Sequence, residues 1–140
     1  MENYVTQIKV ILSVFGDIFD PKTFSECVGI APTNSWVRGD DIVERKGKLT
    51  RNESAWEYST DFITTLSFNE VSKIILDKFN VHTLKIKNYI QEEKLELKID
   101  VIVEIANNQV PSLNLSKDLI SFLSEVEAEI DFDLYVFEKD

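Results

Sequence analysis

The chain has 140 residues, 44% of them hydrophobic, which is enough for one domain (residues 1–140) with a real core; disorder is not the expectation. Asp and Glu total 25 against 15 Lys and Arg, a formal net charge of −10. That balance repels nucleic-acid phosphates and anionic membranes, and it attracts a basic protein partner.

Cys27 is the single cysteine, so no intrachain disulfide can form, which suits a reducing compartment. Met1 to Thr6 carries no basic segment ahead of an apolar run, and no run approaches the roughly 20 apolar residues that span a bilayer. A cytoplasmic protein with no membrane partner is expected.

Ile8, Val10, Leu12 and Val14 alternate with Gln7, Lys9, Ile11 and Ser13, the period of a strand with one buried face, and Gly16-Asp17 ends it. Asp20-Pro21 opens a helix, the carboxylate as cap and the proline at the first helical position. Phe24, Cys27 and Val28 form its apolar stripe and Gly29 its stop. The stretch Ile30 to Glu53 has no sustained period and contains Pro32, Gly39 and Gly47, so a long loop is expected. Arg38, Arg45, Lys46, Lys48 and Arg51 outnumber Asp40, Asp41 and Glu44 there, making the loop locally basic.

Trp56, Tyr58 and Thr60 alternate as a second strand. Ser67 and Glu70 have capping-box spacing ahead of a helix that buries Val71, Ile74, Ile75 and Phe79. Asn80 interrupts it, and Ile86, Tyr89 and Ile90 resume helical spacing as far as Glu92. Leu95, Leu97, Ile99, Val101, Val103 and Ile105 mark the clearest strand, with Glu96, Lys98, Asp100 and Glu104 on a wet face. After Asn107-Asn108 turns the chain, Ser116 caps a helix with a stripe of Leu119, Phe122, Leu123 and Val126, and Leu115 can staple onto Ile120. The last strand directs Ile130, Phe132, Leu134 and Val136 inward and Asp131, Asp133 and Tyr135 outward.

Together these predict an α+β fold: a mainly antiparallel four-stranded sheet with helices on one face, a ferredoxin-like variant with an extra helix between two β-α-β halves.

The candidate binding residues are Trp36, Arg38, Asp40, Trp56 and Tyr58. The two tryptophans bracket the loop, either as anchors for a partner or as packing that holds the loop down. A long loop needs a core of its own, which favours packing. Arg38 has the fork for a carboxylate or phosphate; a tight turn with a local Arg38–Asp40 pair is the plainer alternative. Asp131 and Asp133 lie on one strand face about 7 Å apart. A metal there lacks a third ligand at suitable spacing, and pairing with Lys98 or Lys9 explains the two acids more simply. Cys27 and the only histidine, His82, form no more than a nominal nucleophile and base. Neither a nucleophile elbow nor a phosphate loop is present, since Gly16, Gly29, Gly39 and Gly47 are dispersed. No cofactor and no metal are expected.

The run Ile30-x-Pro32-Thr33-x-Ser35-Trp36-x-x-Gly39-Asp40, following a strand and an Asp-Pro helix, resembles a bacterial family catalogued as domain of unknown function forty-two seventy-nine. Trp56 opening the next strand, the Ser116-capped helix and the closing strand Asp131 to Val136 extend the resemblance over nearly the whole chain. It implies a small cytoplasmic bacterial protein with no assigned reaction and supplies no catalytic residues. By analogy, small acidic bacterial domains include immunity proteins that neutralise a toxin.

The functional expectation is a non-enzymatic protein-binding domain for a basic partner, of which an immunity-type inhibitor is one case. Its acidic face would be Glu125 to Asp140, with seven acids against one lysine. The alternative is a small-molecule or anion-sensing domain whose pocket lies under the 30–53 loop, lined by Trp36, Arg38, Trp56 and Tyr58.

Overall fold

A computed structural model describes residues 4–42 and 49–137. The alternating apolar residues of β1 (Gln7–Gly16) and β5 (Glu96–Ala106) put this antiparallel pair at the centre of the sheet, with Val10 opposite Val101 and Leu12 opposite Ile99. On the other side of β1, β3 (Ser54–Ser59) pairs antiparallel, and β2 (Asn34–Trp36) pairs antiparallel with β3. The two-residue β4 (Ile63–Thr64) extends beside the start of β1. β6 (Glu129–Phe137) lies parallel to β5. The described residues thus form a mixed six-stranded sheet of order β2-β3-β1-β5-β6, with β4 off this path.

The helices are α1 (Pro21–Val28), α2 (Phe68–Phe79), α3 (Thr83–Glu93) and α4 (Lys117–Glu125). All four contribute to one buried cluster with the same face of the sheet, from Phe24 and Val28 through Phe68, Val71, Ile75, Phe79, Ile86 and Phe122. Helices on a single face are therefore observed, within an α+β architecture.

The four-stranded antiparallel layout is corrected. β1, β2, β3 and β5 are antiparallel throughout in the order β2-β3-β1-β5, with α1 and the α2–α3 pair as crossovers. That is the succession of split β-α-β units, carried on strands other than those expected. The helical stretch expected between two halves is itself the second crossover. α4 and β6 are an added unit, and β6 runs parallel to β5 because a helix returns the chain to the same end of the sheet. β2 escapes notice in the sequence because three residues are too few to show a period.

Capping follows the sequence at two ends and departs from it at a third. Asp20 Oδ1 accepts from the Lys22 amide at 3.0 Å, Gly29 closes α1 at φ 67°, and Ser116 Oγ accepts from the Leu119 amide at 3.1 Å. Ser67 makes no side-chain cap. Instead the Phe68 amide donates to the Ser112 carbonyl at 2.9 Å, and Glu70 accepts from the Thr65 hydroxyl at 2.6 Å. A backbone bridge between Ser67 and Ser112 has taken the first orphan donor, so the serine is not needed there. A 3-10 turn over Asn80–His82 separates α2 from α3, at the expected interruption. Ile74 is not on the buried stripe: it is exposed, and Phe68, Ser72 and Leu76 are buried instead. Leu115 packs against the core while Ile120 remains exposed.

The described part of the 30–53 stretch has more regular structure than its sequence suggests. β2 anchors its first half, and an arm continues it: the Gly39 amide donates to the Arg51 carbonyl, the Arg51 amide to the Asp40 carbonyl, and Asp41 bridges Thr50. Arg45, Lys46, Gly47 and Lys48, the most basic part of the expected loop, lie outside the described residues.

Candidate functional site

Strand register assigns every side chain of the sheet to one of two faces. One face holds the helices and the core. On the other, β2 contributes Asn34 and Trp36, β3 Ala55, Glu57 and Ser59, and β1 Lys9, Ile11, Ser13 and Phe15. β5 adds Lys98, Asp100, Ile102 and Glu104, and β6 adds Glu129, Asp131, Asp133, Tyr135 and Phe137. No described helix covers this face. It spans five strands and carries mixed acids and aromatics.

The predicted site residues separate across the sheet. Trp56 is fully buried on the helical side, its Nε1–H donates to Ser25 Oγ at 2.8 Å, and its ring meets those of Phe24 and Phe79 edge-on. Tyr58 is on that same side against Phe79, with the Lys78 ammonium over its ring. Trp36 lies opposite Ala55, one residue out of phase with Trp56, and so points to the uncovered face. There the Arg51 guanidinium stacks over it, 3.9 Å from the ring centroid. The sheet therefore stands between Trp36 and the pair Trp56 and Tyr58, and the pocket drawn from Trp36, Arg38, Trp56 and Tyr58 is not formed. The packing reading holds for Trp56, whereas Trp36 is a half-buried platform at the edge of the open face.

Arg38 and Asp40 do not pair with each other. Arg38 Nη1 reaches Asp17 Oδ1 at 2.6 Å, an exposed ion pair of little energetic worth. Asp40 Oδ2 accepts from the Val37 amide at 2.8 Å and closes the tight turn that Gly39 permits at φ 96°.

Two carboxylates near the middle of the open face are perturbed. Burial raises the Glu57 carboxyl above the ordinary range, opposed by the Ser13 hydroxyl and by the charges of Arg51 and Lys9. Burial likewise raises Asp100, opposed by Lys98. Lys98 bridges Asp131 at 2.7 Å and Asp100 at 3.5 Å, as the alternation of the last strand suggested. Its hydrogen bond to Asp131 holds the ammonium above the usual lysine range. Lys9 sits over the Phe62 ring at 4.8 Å.

Among the described residues no group of three His, Cys, Asp or Glu side chains is placed to hold a metal. The Cys27 thiol points to the Lys85 carbonyl at 3.8 Å. A hollow of about 470 Å³ lies between α2 and the start of α4, lined by residues such as Lys73, Asp77, Ser116 and Asp118. No described helix is long and apolar enough to cross a membrane.

An α+β protein with helices on one side of a mixed sheet and a bare, acidic and aromatic face on the other is the class these features define. The chain belongs to the family described as Domain of unknown function (DUF4279), whose model matches residues 6–137. No curated protein and no solved structure matches it.

Proposed function

We propose that this chain is a protein-binding domain that receives a basic partner on the uncovered face of its sheet. An immunity protein, which neutralises a toxin by covering a basic surface, is one protein of this kind. The carrying observation is the one-sided placement of the helices, which leaves Glu57, Asp100, Asp131 and Asp133 on a broad face together with Trp36, Tyr135 and Phe137. An open strand surface mixing aromatics with charge suits a protein better than a small ligand, which needs concavity. The net charge of −10 adds long-range attraction for a cationic partner.

Immobilised protein should retain a basic protein from its native host at low salt and release it at high salt. Trp36→Ala combined with Asp133→Lys should abolish that retention while the fold persists by circular dichroism. If nothing is retained at low salt, or if the double variant retains the same protein equally well, the reading fails.

A further inference from the structure

The two edges of the sheet are protected very differently. β2, at one edge, has only three residues, which is a common way to blunt an edge. β6, at the other, pairs with β5 without interruption from Glu129 to Phe137, and its outer side pairs with no described strand. The segment contains no Pro, Lys or Arg and no bulge, so of the devices that stop an edge from accepting another strand it has only the charges of Glu129, Asp131 and Asp133, which oppose an acidic strand and favour a basic one.

The side chains on this edge are also uncovered. Ile130 and Phe132 pack against the core, and the Phe132 ring meets Phe68 of α2. Beyond them the strand is no longer covered. Leu134 and Val136 point to the helical side yet are 53% and 62% exposed. On the opposite face Phe137 stacks on Tyr4, and Tyr135 is open to solvent. An apolar patch thus adjoins a free row of backbone donors and acceptors, while the outer face of the same strand carries Glu129, Asp131 and Asp133.

We propose that the free edge of β6 is the docking site for an extended segment of a basic partner protein, which adds to the sheet as a further strand. Its Lys or Arg side chains lie opposite Asp131 and Asp133, and the residues between them are apolar and cover Leu134 and Val136. The inference rests on the protein-binding reading and adds to it the mode and the pattern of the ligand. Backbone hydrogen bonds supply the attachment, and the alternating side chains supply the selectivity. A second copy of this chain is a poorer occupant, because its own β6 brings three more acids and no base to the same outer face.

The test uses a short capped peptide in which Lys and Val alternate, a peptide of the same composition with the lysines in one block, and a Glu-Val alternating peptide. The alternating basic peptide should bind saturably and slow hydrogen exchange of the backbone amides from Ile130 to Val136. The two controls should bind at least about tenfold more weakly. Leu134→Lys with Val136→Lys, both at exposed positions, should weaken the alternating peptide by a similar factor without lowering the thermal midpoint. Equal binding of the blocked peptide, or undiminished binding to the double variant, overturns the proposal. So does a dimer in sedimentation that the double variant dissolves, since the edge would then be filled by a second copy. Retention of a basic host protein by the double variant as well as by the parent would reject this edge and leave the wider reading standing. Failure to retain any host protein would reject the wider reading, with the peptide titration deciding the edge separately.

Discussion

Trp56→Ala removes a fully buried indole together with its hydrogen bond to the Ser25 hydroxyl, and a loss of about 3–5 kcal/mol is expected in chemical denaturation. Trp36→Ala removes a half-buried ring whose main partner is the Arg51 guanidinium, and about 0.5–1 kcal/mol is the scale of such a contact near the surface. Losses of equal size would contradict the opposite-face placement of the two rings. The sequence marks both tryptophans as notable but cannot separate them, because the face each occupies is fixed by strand register, of β2 on β3 for Trp36 and of β3 on β1 for Trp56, rather than by neighbours in the chain. Glu57 gives a prediction in pH. Its folded-state carboxyl sits above the ordinary value of 4.5, so the folded protein holds this proton more tightly than the unfolded chain does. The stability it contributes is full below the ordinary value and lost as pH rises through the raised one. Glu57→Gln removes that loss. The variant should gain on the parent in denaturation midpoint as pH climbs from acid to neutral; a constant gap across that range would show that burial does not dominate at Glu57.

Helix ends show where local sequence decides and where it is overruled. Asp20→Ala should cost about 1 kcal/mol, since the carboxylate holds an amide of the first turn of α1. Ser67→Ala at the start of α2 should cost much less, because Ser112 supplies the acceptor instead. Comparing the two denaturation midpoints checks this contrast, and equal losses would count against it. The Asp-Pro and Ser116 caps were legible because their partners lie within the same turn. Ser67 misled because its competing partner is far along the chain. β6 teaches the same lesson for strands. The alternation of Ile130, Phe132, Leu134 and Val136 correctly gave the side they share. It could not give how far the helical layer extends, so two of the four residues lie in the open. β2 was invisible for want of length, and with it went the true assignment of strands to crossovers.

All four helices and the inner face of the sheet feed one cluster of buried side chains, so the described fold should unfold as a single unit. Far-UV circular dichroism and tryptophan fluorescence should give coincident denaturation curves; separated midpoints would mean that a part such as α4 with β6 melts on its own. Composition and period sufficed for the α+β class and the one-sided helices, since both depend on how many strands have a greasy face. They did not suffice for the parallel strand, because direction is set by how the chain returns from a helix and leaves no trace in hydrophobic spacing. The central position of β1 also bears on how the molecule is made. Val14 pairs with Trp56 on one side and with Leu97 on the other, and Val101 in turn pairs with Phe132. During translation β1 must wait for neighbours that emerge much later, because β5 and β6 follow all but one of the helices and all of them respectively. A nascent chain released early therefore exposes a greasy, half-built sheet, which makes premature termination a route to aggregation and to chaperone capture.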